Sequence, residues 1–194
     1  MHPGNFVSTE FAPPYTVRRI TAADGRALQG LYVGALRDAP YAFGSHDARP
    51  AEYFAQTAAR HAVSNASTTF LMEYTKIPIG MIRAYLGSEA GMSGETDEVG
   101  DTGETGDLAQ RGYVRGLWVS FRHRRAGAGG LLLNSACQWL FETGALEVCA
   151  WLAPGNIQVV SFYQRLGFRP GSTLLPAPLH SAGTDRVFSR VRVV

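Results

Sequence analysis

Two cysteines in 194 residues are too few for a disulfide scaffold. Cys137 and Cys149 flank residues 141–146, one in a helix-like and one in a strand-like segment, without C-x-x-C spacing. Both read as small core residues, not as a disulfide or a metal pair. The histidines His2, His46, His61, His123 and His180 are scattered and no H-E-x-x-H occurs, so no metal is expected. No apolar run approaches the ~18 residues of a membrane span. The first ten residues, MHPGNFVSTE, lack the basic and apolar regions of a secretory signal. A soluble, cytoplasmic protein with no membrane partner is the expectation.

Net charge is also scarce. A formal +2 makes no general case for nucleic acid, and none is expected as a partner. The distribution is uneven: residues 87–110 carry Glu89, Glu95, Asp97, Glu98, Asp101, Glu104 and Asp107 without a Lys or Arg, a local −7 that leaves +9 on the rest. That Gly-rich stretch is expected to be a disordered, solvated loop. With 45% hydrophobic residues the chain can bury one core, so a single domain over 15–194 is expected behind a flexible arm at 1–14.

Periodicity then orders the elements. Tyr15 to Ile20 alternates as a strand, and Thr21-Ala-Ala-Asp24 has the form of a capping box. Leu28, Leu31, Tyr32, Ala35 and Leu36 share a face of the helix that follows, which Asp38-Ala-Pro40 ends. Residues 42–46 read as a loop, and Pro50 opens a second helix to about His61. Residues 68–75 and 78–86 read as a hairpin joined at a short Lys76-Ile77 turn. Beyond the acidic stretch come a strand at 112–120, a helix at about 128–143, a strand at 146–152, a helix at about 156–166, and short strands near 168 and 186–193. This order predicts an α/β sheet that is antiparallel early and has one parallel crossover pair.

The crossover contains Arg-Arg-Ala-Gly-Ala-Gly at 124–129, between strand-like Val114–Val119 and helix-like Leu131–Leu140. A Gly-rich turn entering a helix presents backbone N–H groups and the positive end of the helix dipole, which favours a phosphate. The side chains of Arg122, His123, Arg124 and Arg125 either add charge to that site or form a solvated basic turn.

Three stretches in order resemble the GNAT-type N-acetyltransferases: Leu117-Trp-Val119, Arg124-x-x-Gly127-x-Gly129, and Asn156 through Tyr163 to Phe168. Ala35–Gly44 is also similar to the helix-to-loop segment of a bacterial subgroup, and the resemblance spans about residues 15–193. It implies the GNAT fold, a central mixed sheet of six to seven strands flanked by about four helices, with acetyl-CoA as co-substrate. Backbone N–H groups of Arg125, Ala126, Gly127, Ala128, Gly129 and Gly130 would surround the pyrophosphate, with Arg124 among the cofactor-binding residues for its charge. Leu117, Trp118 and Val119 would lie along the pantetheine arm as though it were an added strand, where a free N–H polarises the thioester carbonyl. Asn156 would cap its helix and also meet the pantetheine. Tyr163, two turns along on nearly the same face, would protonate the departing thiol; otherwise it packs with Phe162, Leu166 and Phe168.

One family feature is missing. Many members carry a Glu on the strand before the turn, but Gly112-Tyr-Val-Arg-Gly-Leu-Trp-Val119 has no carboxylate. Glu73, His46 or no dedicated base are the options. Arg115 on that strand either suits an acceptor bearing a carboxylate or phosphate, or faces solvent. The expected function is acetyl transfer from acetyl-CoA to the amine of a small molecule, metabolite or antibiotic-like, by direct attack. The alternatives are a protein N-terminal or lysine acetyltransferase, and a non-catalytic acyl-CoA-binding protein; a homodimer is left open. A Rossmann domain is excluded, since Gly127-Ala-Gly129-Gly-Leu-Leu132 lacks the third glycine and does not open the fold.

Overall fold

Tyr15–Arg19 (β1) starts the sheet and leads into a 3-10 turn at Ala22–Asp24. The computed structural model describes residues 15–40, 49–87, 111–152, 157–171 and 186–192. The expected arm at 1–14, nearly all of the acidic loop, His46 and Asn156 lie outside the described residues. The capping expectation at Thr21 is met from one side chain: the Asp24 carboxylate accepts from the Thr21 N–H at 2.7 Å and its hydroxyl at 2.6 Å. It also takes both terminal nitrogens of Arg18, at 2.7 and 2.8 Å, tying strand to helix start.

Gly25–Asp38 (α1) and Ala51–Val63 (α2) follow, the second entered through Pro50. Then come Ser67–Tyr74 (β2) and Ile77–Leu86 (β3). Their hairpin turn is Thr75-Lys76, with φ 48° and 67°, and not the expected Lys76-Ile77. Tyr74 pairs with Ile77, so only two residues remain for the loop, and the right-handed strand twist demands positive φ at both.

Arg111–Val119 (β4), Ala128–Glu142 (α3), Glu147–Leu152 (β5), Ile157–Arg165 (α4), Arg169–Pro170 (β6) and Arg186–Val191 (β7) complete the order read from periodicity. The seven strands pair as β1-β2-β3-β4-β5-β7-β6. All pairings are antiparallel except β4 with β5, which the α3 crossover makes parallel. Leu132, Leu133, Ala136 and Leu140 of α3 form one core with Phe70, Ile82, Val114 and Val148 of the sheet. Leu28, Leu31, Phe54 and Ala58 of α1 and α2 form a second with Leu71 and Met81. Among the described residues α3 packs on one face of the sheet and α1 with α2 on the other, and neighbouring strands do not stay paired throughout.

Candidate active site

They part at the β4–β5 pair. Its parallel ladder comprises Arg111 with Glu147, Gly112 with Val148 and Tyr113 with Cys149, and then stops, although β4 runs on to Val119 and β5 to Leu152. β5 pairs instead with β7 along its whole length. β4 bends away through a bulge: Arg83 faces Arg115 and Met81 faces Trp118, so Gly116 and Leu117 together stand opposite Ile82. Gly116 has φ 65°, the left-handed conformation that a bulge of this kind requires and glycine adopts without strain. The result is a cleft with β4 main chain on one wall, suited to an extended ligand whose amides pair like a strand.

At the far end of β4 a 3-10 turn, Phe121–His123, leads to the glycine turn and the start of α3. Arg125 has φ 66° and Gly127 φ 83°. Among the described residues no backbone carbonyl accepts from the N–H groups of Arg125, Ala126, Gly127, Ala128 or Gly129. A Cβ on Gly127 would meet no protein atom within 4 Å, so the turn is open on that side. With the dipole of a 15-residue helix behind them, these amides fit a pyrophosphate. A Cβ on Gly129 would sit in ordinary contact with the Phe162 ring of α4, at 3.4 Å.

The basic side chains divide. Arg124 donates through Nε to the Val119 carbonyl at 2.7 Å and through Nη2 to Asp38 at 2.6 Å, bracing the turn against β4 and α1. Asp38 also accepts from the Trp118 indole at 3.1 Å, so Trp118 belongs to the α1 side of the sheet and contributes its main chain to the cleft. His123 packs against Tyr74, with ring centroids 4.9 Å apart, and meets the Tyr15 hydroxyl at 3.3 Å. Arg122 and Arg125 are exposed. Leu117 packs on the α3 core and Val119 is buried. Asp38 was legible only as a helix end, yet an acidic residue at the negative end of a helix dipole signals a cationic partner.

Tyr163 is buried in the α3–α4 core, edge-on to Phe162 and Phe168 at 5.4 and 5.1 Å. Burial, with a smaller contribution from Cys137, pushes its phenol well up, so it holds its proton at neutral pH. Burial likewise pushes the Cys137 thiol up to about 12, against a lesser opposing pull from Arg190. Glu73 accepts from Arg18 at 2.8 Å, and β3 separates it from β4. Arg115 points to the α1–α2 face, its guanidinium 5.3 Å from the Tyr85 ring centre. Among the described residues no cluster of His, Cys, Asp or Glu could hold a metal, and no helix is long and apolar enough to cross a membrane.

Residues 29–168 match the acetyltransferase (GNAT) family. The chain belongs to that family. The family's members are acyltransferases that use acetyl-CoA, and this GNAT protein has their fold. A GCN5-related N-acetyltransferase from Kribbella flavida is similar at 18% identity and TM-score 0.66, over 92% of this chain and 98% of that one. The PaiA N-acetyltransferase from Thermoplasma acidophilum, solved with coenzyme A, is similar at 14% identity and TM-score 0.60, over 92% and 99%. A ribosomal-protein-alanine N-acetyltransferase from Brucella melitensis is similar at 16% identity and TM-score 0.66, over 91% and 99%. No curated protein matches the GNAT chain.

Proposed function

We propose that the protein transfers the acetyl group of acetyl-CoA to the amine of a small molecule by direct attack on the thioester. The observation that carries this is the end of the β4–β5 ladder at Tyr113 and Cys149, with the glycine turn at the far end of the cleft it opens. Acetyl-CoA supplies the activated acyl group. Main-chain groups of Leu117 to Val119 hold the pantetheine arm, and amides from Arg125 to Gly129 hold the pyrophosphate, those of Arg124 and Gly130 donating to the Phe121 and Gly127 carbonyls. Asn156 joins them by its resemblance to the family's asparagine. Tyr163 carries the proton for the departing thiol. Direct attack is supported by Cys137, whose buried thiol stays protonated at neutral pH and so offers no nucleophile for a covalent route. A small acceptor is supported by the enclosure beside the end of the β4–β5 ladder, where Tyr113 of β4 is completely buried and Tyr85 of the neighbouring β3 only 7% exposed.

Thermal unfolding with and without acetyl-CoA tests the cofactor. At 100 times Kd the expected stabilisation is about 2.7 kcal/mol, or roughly 5–10 °C for a domain of this size. No shift sinks the assignment. Thiol release from acetyl-CoA with a panel of amines and peptides then separates transferase from binder. It also separates a small acceptor from a protein, the Brucella melitensis relative being named for ribosomal-protein alanine.

A further inference from the structure

One carboxylate at the end of α1 holds a side chain next to or within each of the two segments proposed above to hold the cofactor. Asp38 Oδ2 accepts from the Trp118 indole N–H at 3.1 Å and from Arg124 Nη2 at 2.6 Å. Trp118 is the middle residue of Leu117 to Val119, the stretch of β4 assigned to the pantetheine arm. Arg124 stands immediately before the amides of Arg125 to Gly129, and its own N–H is taken by the Phe121 carbonyl. Arg124 Nε closes the link by donating to the Val119 carbonyl at 2.7 Å.

Helix α1 is shaped to receive this arrangement. Gly34 lies one turn before Asp38 and on the same face. A Cβ at Gly34 would come within 2.9 Å of Cη2 of Trp118, so the indole lies close against the helix while its N–H meets Asp38. A mid-helix glycine costs stability relative to alanine, and a carboxylate in the last turn faces the negative end of the helix dipole. Both residues run against local helix preference, and both meet Trp118.

The ion pair itself is partly exposed, Arg124 at 40% and Asp38 at 35%, and a pair in that setting adds little to folding stability. Its consequence is geometric, because it fixes the pantetheine stretch relative to the phosphate turn. A ligand that spans both segments gains affinity when its two halves are received at the right separation, and loses that gain when the segments drift.

We propose that Asp38 is a positioning residue for the cofactor: through Trp118 and Arg124 it holds the pantetheine stretch and the pyrophosphate turn in the relation that one acetyl-CoA molecule requires. The inference rests on the cofactor assignment in the transferase reading above and adds a residue of α1 to that site.

The test is isothermal titration of the full chain with acetyl-CoA and with adenosine 3′-phosphate 5′-diphosphate, which carries the pyrophosphate without the pantetheine arm; the weaker ligand is measured by competition. In Asp38→Asn the Kd for acetyl-CoA should rise about tenfold and that for the nucleotide less than about twofold. The ligand-free melting temperature should stay within about 4 °C of wild type. Gly34→Ala, which displaces the Trp118 ring, should likewise weaken acetyl-CoA more than the nucleotide. In an Arg124→Gln background, Asp38→Asn should add less than about twofold, since the two act as one unit. An unchanged preference for acetyl-CoA over the nucleotide in Asp38→Asn and Gly34→Ala overturns the inference, whether both ligands keep their affinity or lose it equally. So does binding of acetyl-CoA without measurable binding of the nucleotide, for then the turn is no second anchor. Wild type that binds neither ligand is a different failure, that of the cofactor assignment itself.

Discussion

Burial acts in the same direction on Tyr163 and Cys137, with opposite consequences for chemistry. A thiol pushed up to about 12 has lost its use as a nucleophile, whereas a phenol pushed up is protonated at neutral pH and can still give its proton to a basic thiolate, as a weaker acid than an exposed tyrosine. Tyr163→Phe should lower turnover about 10²-fold, the low end for a positioned proton donor, while acetyl-CoA still raises the melting temperature. Stability should change by less than about 1 kcal/mol, because the ring and its contacts with Phe162 and Phe168 remain. Unaltered turnover would leave Tyr163 as a core residue only. Asp38 shows how far a residue's task can lie from its sequence context. It binds a side chain 80 positions away and another 86 away, and only the fold brings Trp118 and Arg124 to the end of α1.

Among the elements, the cleft and the turn before α3 each contain a left-handed glycine, Gly116 and Gly127. Gly127→Ala puts an L-residue at φ 83°, costing about 1–2 kcal/mol, and adds a Cβ on the open side of the turn. We expect the melting temperature to fall by roughly 2–8 °C and the Kd for acetyl-CoA to rise about tenfold or more, measured by unfolding and titration. A fall in stability with undiminished affinity would place the ligand away from this turn. The turn was legible in sequence because glycines before a helix have one strong physical meaning. The bulge at Gly116 was not. A lone glycine in a strand marks a bulge, a bend or a close approach equally well, and the two-against-one pairing with Ile82 exists only once β3 is alongside. The Thr75-Lys76 turn was misplaced by one residue for a similar reason: neither residue advertises positive φ, and the register of the hairpin imposes it.

For the molecule as a whole, Arg18 ties β1 to both the start of α1 and the neighbouring strand β2, through Asp24 and Glu73. The Arg18 hydrogen bonds, then those from Thr21, hold the Asp24 carboxyl well below the usual range against the opposing effect of burial. Asp24 thus keeps its charge more readily when folded than when unfolded. Its contribution is whole above about pH 4–5 and drains away as the pH falls further, since the unfolded chain takes up its proton first. Asp24→Asn should lower stability at pH 7 by about 2 kcal/mol, roughly 4–8 °C. The gap to wild type should narrow between pH 5 and pH 3 in thermal scans. A gap independent of pH would show that shape, not charge, is what Asp24 supplies.

By itself the sequence determined the order of strands and helices, the family, and the glycine turn that enters α3. All of these depend on short-range periodicity or on the backbone chemistry of a few neighbouring residues. Tertiary structure decided where the parallel ladder stops, which face Arg115 takes, and that Arg124 and Trp118 serve Asp38. Those outcomes depend on register between strands distant in sequence, and shifting a strand by one residue turns every side chain to the opposite face.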